Sequence, residues 1–148
     1  MAAQSRADAV WTGDLAHGSG RVKPASGAFD ELAVSWPART QRSAETKTTS
    51  PEELLASAHA SCFAMAFAHG LAQGGHAPEQ LMVSATATFD QVGGGFKVTK
   101  IALTVHGRVP GMGEAAFRGA AEAAKDGCPI SQALKGNVEL SVEATLDS

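Results

Sequence analysis

Residues 49–63 read TSPEELLASAHASCF, and they open as a helix start. Ser50 can cap, Pro51 suits the first helical position, and Glu53 completes a capping box. Glu52 and Glu53 also face the positive end of the helix dipole. Beyond them Leu55, Ala58, Cys62, Met65 and His69 recur at helical spacing, while Ala56, Ala60, Phe63, Phe67 and Gly70 line a second face. The pattern predicts a helix running to about Ala72, where QGGHAP ends it. A helix apolar nearly all round is a central one, buried between layers. Its small residues let another helix approach closely, and a second copy of the chain is one such neighbour.

On either side of this helix the patterning changes period. The first 36 residues carry the strand-like runs ADAVWTG, GRVKPA and ELAVSW, punctuated by Gly18, Gly20, Pro24 and Gly27. Residues 37–50, PARTQRSAETKTTS, are polar and predict the longest loop, with Arg39, Arg42 and Lys47 on it. Two strands follow around Gly93-Gly94-Gly95. In the second, Phe96 and Val98 are out of phase with Ile101, which predicts a bulge near Thr99-Lys100. Residues 112–125 read as a helix, and Gly127-Cys128-Pro129 restarts a short one that Gly136 ends. The last segment alternates, with Val138, Leu140, Val142, Ala144 and Leu146 inward. Strands, long helix, strands, helices and strand make the class α+β, and the length suits a single domain over residues 1–148.

Composition narrows the function. The chain has 148 residues, 44% hydrophobic and 18% charged, an ordinary globular balance, and a net charge of −3 that lacks the basic face a nucleic-acid binder needs. No run approaches the roughly 18 apolar residues that span a bilayer, and the N-terminus has no apolar core of a secretory signal. The expected location is cytoplasmic, with no membrane and no nucleic-acid partner. Thiols are kept reduced there, so a disulfide between the two cysteines would be transient rather than structural.

Cys62 has an ordinary reading as a small hydrophobe in a helix face. Cys128 differs: just before Pro129, at the N-cap of a helix, its sulfur feels the positive dipole end, which favours the thiolate. Taken alone, the residues make Cys128 the more activated thiol. His59 and Cys62, at i and i+3, could join Cys128 around a zinc ion, but no fourth ligand is evident and no metal is expected. A Cys-His hydrolase would need an orienting Asn or Asp near a histidine, and none stands out. The GSG and VGGGF segments fit hairpin turns, not phosphate-binding loops.

Taken together, TSPEELLASAHASCFAMAF and KDGCPISQALKGNVELSVEATL, preceded by VWTGDLAHGSG and VSWPART, resemble the OsmC family of peroxidases. The resemblance runs from Trp11 to Leu146 and favours the OsmC branch over the sister organic hydroperoxide resistance branch. It implies an OsmC-like fold, with antiparallel sheets wrapped around a long central helix in an intertwined homodimer whose two sites lie at the interface. It also implies a thiol peroxidase that reduces organic hydroperoxides, and hydrogen peroxide more weakly, in stress defence. Cys62 would be the peroxidatic cysteine and Cys128 the resolving one, with Arg39 and Glu52 completing the site. Arg42 is the alternative arginine, because the chain carries about three extra residues before Ser50. A dithiol reductant is implied, and no cofactor.

Elementary chemistry adds conditions to that expectation. A cysteine on an apolar face needs a cation nearby to become a thiolate, because burial alone raises its pKa. Arg39 can supply the charge while Glu52 holds its other edge. Glu52 precedes Cys62 by ten residues, roughly 15 Å of helix rise. A site shared between two subunits would bring the groups together. Phe63, Met65 and Phe67, or residues facing them across the interface, would favour alkyl hydroperoxides. The competing reading is a non-catalytic protein of the same fold that holds a lipid-like ligand and uses its cysteines as redox sensors.

Overall fold

The computed structural model describes residues 1–42 and 47–148. The chain divides into two compact units, Met1–Leu54 and Leu55–Ser148. In the first, β1 (Ala7–Thr12), β2 (Ser19–Pro24) and β3 (Leu32–Val34) form an antiparallel sheet in that order. Gly20 is required where it stands: a Cβ there would lie 2.6 Å from the Trp11 ring and 2.9 Å from Val34. Part of the expected loop after Trp36 is helical instead, as α1 (Trp36–Thr40). The local cause is Ser35, whose hydroxyl accepts from the Ala38 N–H at 3.2 Å, with Pro37 at the start of the turn. The rest of that expected loop includes residues 43–46, which lie outside the described residues.

The long helix α2 (Pro51–Gln73) begins as its caps predict, with the Glu53 N–H donating to Ser50 Oγ at 3.1 Å. Its expected burial on all sides does not hold within one chain. Glu52, His59, Phe63, Phe67 and Leu71 form a buried stripe, whereas Ser57, Ala58, Ser61, Met65 and His69 are exposed. By length and composition α2 could cross a membrane, and it is the only described helix that could. Its buried stripe from Phe63 to Leu71 is nevertheless part of a packed protein core.

The second unit supplies that core. β4 (Gln80–Val92) and β5 (Gly95–Arg108) pair as a long antiparallel hairpin through Gly93 and Gly94, whose φ values of 59° and 81° suit a turn that only glycine adopts freely. The ladder slips between Thr88 and Phe89, leaving Thr99 as the extra residue of a bulge, where the sequence places it. The chain then forms α3 (Glu114–Gly127), α4 (Pro129–Leu134) and β6 (Glu139–Leu146). One expectation is corrected here: β6 lies parallel to β5, so this sheet is mixed rather than antiparallel. The helices α3 and α4 make the crossover that a parallel pair needs, which alternation within one strand cannot reveal. Phe67 sits 5.5 Å from Phe63 and 5.0 Å from Phe117 between ring centroids, over Leu103, Val105 and Ala144. Gly107 leaves room for the Phe117 ring, which any Cβ at that position would strike.

Candidate active site

Each unit brings together one pair of the expected site residues. In the second, α2 carries Cys62 and the α3–α4 junction carries Cys128, with the sulfurs 3.1 Å apart and both thiols free. Cys128 is fully buried and Cys62 half-buried. The Cys128 backbone ends α3 by donating to the Ala124 carbonyl at 2.9 Å and starts α4 by accepting from the Gln132 N–H at 3.0 Å. Its sulfur is therefore fixed by two helix ends at once.

The environments push the two thiols apart. Burial raises the Cys62 thiol, and the hydrogen bond and charge of Cys128 raise it further; the Ile130 N–H opposes them without prevailing. Burial also raises Cys128, but hydrogen bonds from the Ser131 N–H, the Cys62 thiol, the Ser131 hydroxyl and the Ile130 N–H outweigh it. That thiol ends below its ordinary value. The pair titrates as a unit, and its first negative charge settles on Cys128 with the remaining proton between the sulfurs. The direction agrees with the expectation drawn from Cys128 at a helix start.

In the first unit, Arg39 and Glu52 form a bidentate pair. Arg39 Nη2 donates to Glu52 Oε1 at 2.7 Å, and Nε reaches both carboxylate oxygens at 3.2 Å. The Glu52 side chain is 8% exposed and that of Arg39 30%, so the pair is held largely away from water. The guanidinium carbon lies 5.6 Å from the Trp36 ring centroid, a cation–π contact that further fixes its plane. Arg42 is engaged elsewhere: it pairs with Glu53 at 2.5 Å and donates to the Ala38 and Thr48 carbonyls. Glu53 also accepts from the Thr49 hydroxyl at 2.7 Å. The two arginines and two glutamates thus sort into Arg39–Glu52 and Arg42–Glu53. A cavity of about 300 Å³ opens in this unit beside Arg39, walled by Trp11, Leu15, Val34, Trp36 and Pro51.

Some expected neighbours fall elsewhere. Phe63 and Phe67 are closed to solvent and fill the core, and Met65 points outward, 68% exposed. The apolar wall beside Arg39 comes from Trp11, Leu15 and Trp36 instead. His59 is buried, with Nε2 2.8 Å from Ser131 Oγ, and among the described residues no group of His, Cys, Asp or Glu could hold a metal ion. Ser131 was not singled out by sequence reasoning. The available signal was its place three residues after an N-cap, where its N–H faces the capping side chain.

Comparison with known proteins identifies the family. The family model described as OsmC-like protein matches residues 44–143. Peroxiredoxin OsmC of Escherichia coli is 36% identical over 143 residues, covering 97% of this chain and 98% of its own. The organic hydroperoxide resistance protein of Xanthomonas axonopodis pv. citri is 30% identical over 95 residues, 64% of this chain and 65% of its own. Among solved structures, an organic hydroperoxide resistance protein from Elizabethkingia anophelis matches with a TM-score of 0.74 at 25% identity, over 99% of this chain and 100% of that one. An OsmC-like protein from Vibrio cholerae matches in fold with a TM-score of 0.75 at 16% identity, over 97% and 100%. Fold and relatives define an enzyme class, the peroxiredoxin-type peroxidases. Within it, the chain belongs to the OsmC family.

Proposed function

We propose that the protein reduces organic hydroperoxides through Cys62 as the peroxidatic cysteine and Cys128 as the resolving one. The observation that carries this reading is the 3.1 Å separation of two free sulfurs, close enough to bond with little movement of either helix. The unequal thiols make a thiolate accessible: charge formed on Cys128 becomes a Cys62 thiolate when one proton crosses between the sulfurs. Arg39, held by Glu52, is the cation that this reading assigns to the reaction.

The Cys62 thiolate attacks the outer peroxide oxygen. The O–O bond breaks, and the alkoxide leaves against the Arg39 guanidinium and takes a proton to become an alcohol. Cys62 is left as a sulfenic acid. The Cys128 sulfur attacks it, the S–O bond breaks, and the hydroxide leaves as water once protonated. A dithiol restores both thiols by exchange. The apolar walls beside Arg39 suit an alkyl tail, which supports organic hydroperoxides over hydrogen peroxide.

The same reading includes a homodimer with a shared site, acting in the cytoplasm. Its support is the apolar surface a lone chain leaves open. Every residue of β1 is exposed, Val10 by 69%, and the outer face of α2 presents Ala58 and Met65 to solvent. A second copy covers such surface and gives α2 the buried setting its composition predicts.

The test is consumption of cumene hydroperoxide with a small dithiol, on wild type, Cys62→Ser and Cys128→Ser. Wild type turns over, Cys62→Ser consumes none, and Cys128→Ser consumes one equivalent per chain before stalling. The reverse pattern would exchange the two roles. No consumption by fully reduced wild type would favour the ligand-binding, redox-sensing reading instead.

A further inference from the structure

His59 has no part in the cycle above, yet it is fully buried on α2, one turn before Cys62. Its Nε2 lies 2.8 Å from Ser131 Oγ, and its Nδ1 is enclosed with no hydrogen-bond partner among the described residues. Ser131 is 2% exposed, and its hydroxyl is in turn hydrogen-bonded to Cys128, whose sulfur is 3.1 Å from that of Cys62. Four side chains from α2, α4 and the α3–α4 junction thus form one polar line, His59–Ser131–Cys128–Cys62.

The unpartnered nitrogen decides which way the line points. Burial holds the imidazole below its ordinary pKa, so it is neutral and carries a single N–H. Were that proton on Nδ1, a donor would be buried with nothing to accept it, which folded proteins rarely tolerate. An unfilled acceptor lone pair is the lesser penalty. The proton therefore sits on Nε2 and is donated to Ser131 Oγ. With its oxygen so occupied, the serine hydroxyl turns its own proton toward the Cys128 sulfur.

We propose that His59 is a positioning residue for the resolving step, fixing the Ser131 hydroxyl as a donor to the Cys128 sulfur so that this sulfur attacks the Cys62 sulfenic acid as a thiolate. The assignment rests on the resolving role given to Cys128. In the step, a Cys128–Cys62 S–S bond forms from the thiolate pair of electrons, the Cys62 S–O bond breaks, and the departing hydroxide takes a solvent proton to leave as water. His59 and Ser131 keep their own protons throughout. Other titratable groups do not compete for the sulfur. Cys62 is already in the line, α4 carries no charged side chain, and Lys125 and Asp126 at the end of α3 pair with each other at 3.9 Å, Lys125 also with Glu122 at 2.7 Å.

The experiment titrates the ultraviolet absorbance of the thiolate in Cys62→Ser protein, where Cys128 is the only thiol. Ser131→Ala and His59→Leu should each raise the midpoint by about one unit. His59→Gln, whose amide N–H can replace Nε2–H, should restore the parent value. The Ser131→Ala/His59→Leu pair should shift no further than Ser131→Ala alone, because the histidine acts through the serine. In the two-cysteine protein, stopped-flow disulfide formation should slow in the same order. Ser131→Ala removes one oxygen from a small buried residue and keeps the test available if His59→Leu fails to fold. A parent-like midpoint in folded Ser131→Ala, additive shifts in the pair, or a glutamine variant as impaired as leucine would overturn the inference. If the parent consumed no hydroperoxide, the peroxidase reading would fall while the titration still judged this geometry. An unshifted midpoint in an active enzyme would remove this inference alone.

Discussion

No side chain of β1 is buried, whereas along β5 Ile101, Leu103 and Val105 all are. Both strands belong to three-stranded sheets in one chain, yet only the second sheet has a helix stripe and an aromatic cluster over it within its own unit. The first unit has instead a bidentate ion pair, a capped five-residue helix and an apolar cavity. The contrast separates two tasks. The second unit holds the sulfurs against its own core; the first holds a cation beside exposed apolar surface.

Truncating the core presses hardest on that contrast. Phe67→Ala removes a fully buried ring that touches Phe63 and Phe117, and should cost about 3–5 kcal/mol of unfolding free energy in urea. Val10→Ser, on the exposed strand, should act instead on the proposed dimer equilibrium, read by sedimentation. A Val10→Ser chain that stays dimeric at high dilution would break the division of tasks. Next in size, Arg39→Met should lower kcat/KM by about a hundredfold or more, the usual loss when a charge-stabilising donor is removed. A parallel loss in Glu52→Gln would show that the carboxylate matters through the guanidinium it holds.

The smallest effect is a pH signature of the reduced thiol pair. Cys128 is depressed, so as pH rises from its folded value to the ordinary 9.0 the unfolded chain binds more protons and stability increases. Cys62 is raised, so from 9.0 to its folded value the native chain holds the extra proton and stability falls. Unfolding midpoints of the reduced protein, taken relative to a Cys62→Ser/Cys128→Ser variant, should therefore peak near 9. A monotonic difference curve would mean that the sulfurs do not share a proton.

Much of this was legible in local chemistry. Ser50-Pro51-Glu52-Glu53 marks where α2 begins, Gly93-Gly94 the hairpin tip, and the phase break before Ile101 the bulge at Thr99. Periodicity cannot report which neighbour a face meets. The α2 pattern predicts burial on two faces, but a single chain covers only one, and the apolar residues near Cys62 in sequence turn out to fill the core. Parallel pairing of β6 was illegible because it depends on a crossover rather than on the strand. The ion pairs sorted only partly: Arg39–Glu52 came from a family likeness, and Arg42–Glu53 needed coordinates. Ser131 and the orientation of His59 carried no periodic signal, since both follow from how α4 is seated against α2.

The parallel register of β6 also sets an order of assembly. A hairpin can zip from its turn as soon as both arms exist, but a parallel third strand waits until the crossover helices are in place. Cys128 lies inside that crossover and shares a buried core cluster with Ala144 of β6, a strand followed by the Asp147 N–H donating to the Gly107 carbonyl at 2.7 Å. During synthesis, then, Cys62 leaves the ribosome long before its partner sulfur has an address. A nascent chain halted short of Glu139 carries both cysteines without the strand that seats them. The seat of the thiol pair thus waits on the crossover and on the strand that follows it.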